Sequence, residues 1–362
     1  MVKRRLKLSY SFHHGGDIYT MTKILGTDVN SIIDLSTSVN PLPLPSKYKQ
    51  ALLKNFSQIN KYPDPFCRSF KETLQEVYGI PEENVICGNG SIELIYLFVN
   101  ALAPKKALIL EPTFNEYQRV CKLYNVNIDK IFNLNKNILL EKLLKKLSKT
   151  KVDLVFVCNP NNPTGWLYKK EDLLNAIMKF STTTFIVDEA FIEFVEKDSL
   201  IKEATMLDNL IVLRSLTKFY GLTGLRFGYA ISTKKIIQKA LAFLPPWNVN
   251  AFSQILASQI LKDEDFKRRT LNFFIKEKKY FERKLNLLSQ KYSLIYFPSV
   301  ANFYLLKLPN DDLFEYCFKE GILIRNCSNF YGLDEHYVRV SVKFRKWSQR
   351  FFDALEKWLA YR

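Results

Sequence analysis

Only three histidines stand among the 362 residues of this chain. Its six cysteines, Cys67, Cys87, Cys121, Cys158, Cys317 and Cys327, never take a C-x-x-C spacing. Zinc sites need sulfur and imidazole ligands clustered at short spacings, so no metal centre is expected. Several of the cysteines lie in apolar, strand-like runs. They read as buried free thiols of a reducing compartment, the cytoplasm, and not as a disulfide framework. No run of about 18 apolar residues occurs, so no membrane-spanning helix is predicted. The N-terminal stretch M-V-K-R-R-L-K-L-S-Y is basic and lacks an apolar signal core. Internal repeats and low-complexity linkers are absent as well.

What is present is ordinary globular material. Hydrophobic residues make up 47% and charged residues 25%, with 28 Phe and 19 Tyr to fill a sizeable core. The length suits one large domain plus a smaller one. The net charge of +17 raises nucleic acid as a partner. However, the lysines sit in stretches such as I-K-E-K-K-Y-F-E-R-K, mixed with Glu at exposed helical spacing. They read as a solvated surface, with neither nucleic acid nor membrane as partner. The positive field would attract an anionic small molecule.

Short apolar runs alternate with helical patterns through the middle of the chain. The runs are 84–87, 107–110, 154–157, 185–187 and 210–213, each followed by Gly, Pro, Asn, Asp or a hydroxyl residue. Continuous apolar runs between helices predict an α/β fold with a mostly parallel central sheet covered on both faces. Ligands of such sheets bind beyond the carboxyl ends of the strands. G-N-G-S, E-P-T-F, N-P-N-N-P-T-G, D-E-A-F and S-L-T-K stand at those five ends. Helices are expected at 251–261, about 265–291 and about 344–359, with strand-like pieces at 294–297, 302–308, 322–326 and 337–342. This gives an arm over 1–45, a large domain over 46–250 and a small α+β domain over 251–362.

The polar residues at the strand ends suggest one chemistry. Lys218 lies between hydroxyl residues after an apolar strand, with Arg226 eight residues on. A lysine amine condenses with a carbonyl cofactor, while Ser215, Thr217 and Arg226 suit its phosphate. Asp188 ends a strand and could pair with a protonated pyridine nitrogen, although Asp is also a common helix cap. Gly90, Ser91 and Ile92 open a helix whose free N–H groups could take an anion. Asn162 could meet a ring hydroxyl or simply form a turn. Phe114 could stack on a ring or simply pack.

N-P-N-N-P-T-G, D-E-A-F, S-L-T-K and G-L-R-F-G-Y, in this order and spacing, resemble the fold-type I aminotransferase superfamily over nearly the whole chain. They look most like the branch that holds histidinol-phosphate aminotransferases and threonine-phosphate decarboxylases. The resemblance implies pyridoxal 5'-phosphate as cofactor, Lys218 as the Schiff-base lysine and Asp188 as partner of the pyridine nitrogen. It makes Ser215, Thr217, Arg226 and the amides of Gly90, Ser91 and Ile92 the phosphate holders. Tyr62, in K-Y-P-D, matches a tyrosine that reaches the phosphate from the neighbouring subunit, which implies a homodimer with shared sites.

Within the branch, His14-Gly15-Gly16-Asp17, Pro246-Trp247-Asn248-Val249-Asn250 and the run from Ile324 to Leu333 resemble the decarboxylase family. Phe191 stands where aminotransferases usually carry a tyrosine. The resemblance implies decarboxylation of an O-phospho-amino acid, L-threonine O-3-phosphate or L-serine O-phosphate, with cobalamin assembly as the setting. Arg339 would grip the substrate carboxylate, and Arg325, His14 and Gly15 the substrate phosphate. Ser38 and Asn40 fall in the family's S-x-N-x-N-P element at the substrate. Ser38, Asp17 and Lys343 depart from the pattern, which expects Asn, Asn and Arg. Histidinol-phosphate transamination and a non-catalytic binding protein are the alternatives.

Overall fold

The computed structural model describes residues 14–361. Seven strands form the central sheet: β1 Val85–Asn89, β2 Lys106–Glu111, β3 Asn127–Phe132, β4 Leu154–Cys158, β5 Thr184–Asp188, β6 Leu210–Ser215 and β7 Phe227–Ile231. Their order across the sheet is β1-β7-β6-β5-β4-β2-β3. All run parallel except β7, which is antiparallel to both of its neighbours. Successive side chains of a strand point to opposite faces, and here both faces are apolar. Val155, Val157, Val187 and Val212 belong to one core cluster; Leu154, Phe156, Ile186 and Ile211 belong to another. The polar residues that end each strand are thereby presented at a single edge of the sheet.

Two strands were not expected from the sequence. β3 is an edge strand whose side chains are only partly buried, so N-I-D-K-I-F carries no continuous apolar signal. β7 begins at the phenylalanine of G-L-R-F-G-Y, whose polar chemistry hid the strand that follows.

A smaller sheet of four strands holds Arg325–Asn326, Tyr337–Ser341, Phe303–Lys307 and Ile295–Tyr296 in that order. Helices Glu264–Lys291 and Arg345–Ala360 lie against it, contributing Phe281, Leu285, Phe351 and Trp358 to the small core. The N-terminal segment joins this unit. Ile33–Asp34 pairs in parallel with Ile322–Leu323, and Ser341 N–H donates to the Leu35 carbonyl at 2.9 Å. The expected strand over 322–326 is therefore two, one paired with the arm and one with the small sheet.

The expected division at residue 250 is displaced. Leu256, Ala257, Ile260, Leu261 and Phe266 pack into the core of the large sheet, so the change of core falls inside the helix Glu264–Lys291. Among the described residues no helix is long and apolar enough to cross a membrane. No group of metal-ligating side chains is found there either. All six cysteines are free and buried.

Candidate active site

The carboxyl ends of β2, β4, β5 and β6, the N-terminal segment and the small sheet enclose a cavity of about 230 Å³. Of the expected site residues, His14, Gly15, Ser38, Ser91, Ile92, Phe114, Asn162, Asp188, Ser215, Thr217, Lys218, Arg226, Arg325 and Arg339 all line it. Three do not: Gly90, Asn40 and Tyr62.

Lys218 reaches the cavity from the loop that leaves β6. Its own carbonyl accepts from Asn40 N–H at 2.9 Å, which pins the loop to the N-terminal segment. Burial pushes the Lys218 ammonium down to about 8, and the cations Arg339, Arg226 and Lys343 add to that effect while Asp188 opposes it. At neutral pH an appreciable fraction of the amine is therefore neutral, as a nucleophile requires.

Asp188 ends β5 in full burial. Burial pushes its carboxyl upward, while the Tyr117 hydroxyl and the Ala190 N–H hold it back. Tyr117 donates to Asp188 Oδ2 at 2.8 Å and stacks on Phe156 with ring centroids 4.8 Å apart. A buried carboxylate with one hydroxyl donor still favours a cationic N–H partner, which a protonated pyridine nitrogen would supply.

The anion cradle is built by close approach. Gly90, at φ +82°, caps the helix Ser91–Leu102 with no side-chain capping hydrogen bond. A Cβ on Gly90 would come 2.7 Å from Arg226 Nη2, and one on Gly228 would come 2.2 Å from Ser91 N. Glycine at both positions lets the helix start, β7 and the guanidinium converge. Ser215 Oγ and Thr217 Oγ1, which line the same cavity, lie 2.8 Å apart. The amide expected from Gly90 is already engaged, because it donates to the Gly88 carbonyl at 2.8 Å. Among the described residues, the donors left open are the amides of Ser91 and Ile92, as at any helix start. Lysine, buried carboxylate and anion cradle together fit the expected cofactor.

Another side of the cavity is made from the small sheet. Arg325 and Arg339 are direct partners across two antiparallel strands, and both are buried. Burial lowers both guanidiniums, that of Arg339 to about 10 with Arg325 contributing. Arg339 donates to Asn162 Oδ1 and to the Ser36 carbonyl, the latter at 2.6 Å. Its Nε has no partner among the described residues. Arg325 donates to Asn329 Oδ1 at 2.7 Å. Phe191 packs edge-on against Phe303, with ring centroids 5.1 Å apart.

The departures from the family pattern have local accounts. Ser38 Oγ is 2.9 Å from Ser341 Oγ. Asp17 caps the helix Ile18–Leu25 by accepting from Thr20 N–H at 3.0 Å, a task open to Asn or Asp. Lys343 donates to the Val39 carbonyl at 2.7 Å, and burial pushes its ammonium down to about 8.

Asn40 is a correction to the expectation of a substrate contact. Its Nδ2 donates to the Phe219 carbonyl and to Thr270 Oγ1, and its Oδ1 accepts from Leu42 N–H. Its side-chain donors are spent on the Lys218 loop and on the helix Glu264–Lys291. Tyr62 is 79% exposed and stacks on Trp247 at 4.4 Å, away from this chain's own cavity.

Sequence reasoning missed Tyr117, Glu116 and the buried pair Glu189–Arg214, joined at 2.9 Å. Glu189 follows Asp188 and Arg214 precedes Ser215, so this ion pair ties together the ends of β5 and β6. The available signal was a charge inside an otherwise apolar strand.

The family model for class I and II aminotransferases matches residues 30–346. A threonine-phosphate decarboxylase from Salmonella typhimurium is 32% identical over 94% of this chain and 95% of its own length. A histidinol-phosphate aminotransferase from Methanococcus aeolicus is also 32% identical, over 91% of this chain and 90% of its own length. The crystal structure of a histidinol-phosphate aminotransferase from Sinorhizobium meliloti, in complex with pyridoxal-5'-phosphate, shares the fold. Its TM-score is 0.84 at 20% identity, over 95% of this chain and 94% of that one.

Proposed function

The chain belongs to the class I and II aminotransferase family and uses pyridoxal 5'-phosphate, and from that premise we propose that it decarboxylates an O-phospho-amino acid. The substrate is L-threonine O-3-phosphate and the product (R)-1-amino-2-propanol O-2-phosphate. The observation that carries this reading is the pair Arg325 and Arg339. Like charges directly opposite each other on neighbouring strands repel. Burying both is a cost that a substrate with two anionic groups would offset. Phosphothreonine has a carboxylate on the α-carbon and a phosphate one carbon further out. Phe191, which offers no hydroxyl, fits a site tuned differently from those of the transaminases.

Bound pyridoxal phosphate supplies the sink for the electron pair released at the substrate α-carbon. The residues do the rest. Ser91, Ile92, Ser215, Thr217 and Arg226 would hold the cofactor phosphate, Asp188 would pair with its ring nitrogen and Phe114 would pack on its ring. Lys218 provides the amine, which burial and its cationic neighbours keep partly neutral. Arg339 takes the substrate carboxylate, while Arg325, His14 and Gly15 take the phosphate. The two clamps fix the orientation of the substrate at its α-carbon, and their spacing would select carbon dioxide loss over proton loss. Lys218 returns a proton to the α-carbon.

The protein acts as a homodimer in this reading. Phe56, Tyr62, Phe66 and Trp247 are more than two-fifths exposed, a surface that a second copy would cover.

The test is incubation of the purified protein and cofactor with L-threonine O-phosphate, L-serine O-phosphate, or histidinol phosphate plus 2-oxoglutarate. Carbon dioxide release with no oxo-acid acceptor is expected. Glutamate formation from the third mixture, without carbon dioxide from the first two, overturns the reading. L-serine O-phosphate lacks one methyl, a difference of about 1–3 kcal/mol in a pocket, so its rate relative to L-threonine O-phosphate ranks the two.

A further inference from the structure

Lys278 is a charge that the chemistry of the cavity leaves unused. It stands in the helix Glu264–Lys291 and does not itself line the cavity. Its Nζ donates to the Ser299 carbonyl at 2.7 Å and to the Ala301 carbonyl at 2.6 Å. The ammonium also lies 5.0 Å from the centroid of the Tyr304 ring. Burial pushes it down to about 8, and Glu282, one turn along the helix, opposes that shift. At neutral pH most of it is therefore charged. Hydrogen bonds from a cation are stronger than those from a neutral donor, and a ring face suits a cation. The lysine thus holds the segment 299–301 by two charge-assisted bonds.

That segment presses on the frame of the cavity. Val300 N–H donates to the Gly165 carbonyl at 3.0 Å. Gly165 stands at φ +72°, and a Cβ there would collide with Ser299 Oγ. Gly165 N–H in turn donates to the Asn161 carbonyl at 2.7 Å, which closes a turn around Asn162. The other flank of the turn is held by Asn161, whose Nδ2 donates to the Pro112 carbonyl at 2.9 Å and whose Oδ1 accepts from the Thr113 hydroxyl at 2.8 Å. Asn162 therefore sits between two anchors, one after β2 and one reached through Lys278. It lines the cavity, and its Oδ1 accepts from Arg339. The same segment leads to Ala301 and Phe303, which pack with Ala190 and Phe191.

We infer that Lys278 is a positioning residue, whose ammonium clamps the segment 299–301 against the turn 161–165 and so sets where Asn162 stands in the cavity. The inference rests on the reading that bound pyridoxal phosphate meets Asn162. Loss of the Lys278 charge releases one anchor of the turn and leaves the other. The effect is then local, and it reaches the cofactor through Asn162.

Hydrogen exchange of the holoenzyme tests the clamp. In Lys278→Met, which removes the charge and keeps the stem, the amides of Val300 and Gly165 should exchange about tenfold faster or more. The amides of β4 should exchange as in the parent. Lys278→Gln, the milder variant, should show the same order with smaller effects, and Lys278→Arg should lie nearest the parent. The affinity for pyridoxal phosphate tests the route. Its Kd should rise about fivefold in Lys278→Met and in Asn162→Ala, and the two losses should not multiply in the double variant. Faster exchange at 299–303 with no change at 161–166 overturns the inference, as does faster exchange throughout the chain. Losses of cofactor affinity that multiply overturn it too, because Lys278 would then act apart from Asn162. If exchange and affinity behave as expected but L-threonine O-phosphate is not turned over, the inference stands and the proposed function falls.

Discussion

The two walls of the cavity are built on different plans. The cofactor wall consists of strand ends: Asp188 on β5, Ser215 and Lys218 on and after β6, Asn162 after β4 and Phe114 after β2. Each sits within a short motif whose neighbours are buried in a two-faced core. The substrate wall is assembled from distant segments, with His14 and Ser38 from the N-terminal part and Arg325 and Arg339 from the small sheet. Backbone hydrogen bonds between those segments hold it, such as Ile33 N–H to the Gly321 carbonyl at 2.9 Å. The first wall defines the chemistry available to the whole family. In the proposed function, the second selects which bond at the α-carbon breaks.

The largest way to break this division is at Lys218. Lys218→Ala should lower turnover by about 10⁴-fold or more and abolish the absorbance of the bound cofactor. A retained spectrum and rate would remove the cofactor wall from the account. Next comes Arg339→Lys on the substrate wall. It should lower kcat/KM for a carboxylate substrate by about 10- to 100-fold, since a point charge cannot replace two parallel guanidinium bonds. Cofactor affinity, measured separately, should hold. An equal loss of both would show that the walls are one unit.

A smaller effect links the walls electrostatically. Arg339 is among the cations that depress Lys218 to about 8. The neutral amine is the reactive form, so the rate at which cofactor reconstitutes the cofactor-free protein should climb with pH and level off above about 8. Below that pH it should change about tenfold per unit. Removing the charge with Arg339→Met should move the plateau to higher pH; an unmoved plateau would deny the coupling.

The smallest effect belongs to Asn40. Asn40→Ala should cost about 1–3 kcal/mol in denaturant unfolding, because it leaves the Phe219 carbonyl and Thr270 hydroxyl without their donor. A rise in KM without any loss of stability would restore Asn40 to the substrate wall.

The contrast also explains what could be read in the chain. Asp188, Lys218 and Asn162 were legible because a strand end places a polar residue in one direction at one edge, whatever lies elsewhere. Edge strand β3 was not, since its partly buried residues N-I-D-K-I-F show neither a continuous apolar run nor a strict alternation. Arg325 and Arg339 were legible only through likeness to a family, because no local pattern says that two strand arginines face each other across a cavity. Asn40 was misplaced for the same reason. Its neighbours in space, Phe219 and Thr270, lie far away in the chain, and only the folded structure reveals that its amide is occupied. Glu116 left no signal at all, being one acid among many until the fold brings it 2.9 Å from His14.

The central claim is that the substrate wall directs the break to the bond between the α-carbon and the carboxylate. L-threonine O-phosphate labelled with ¹³C in the carboxylate tests it directly, with the holoenzyme and no oxo-acid present. The account predicts labelled carbon dioxide and 1-amino-2-propanol O-phosphate in a one-to-one ratio. Retention of the label in an oxo acid, with the cofactor converted to its amine form, would contradict it.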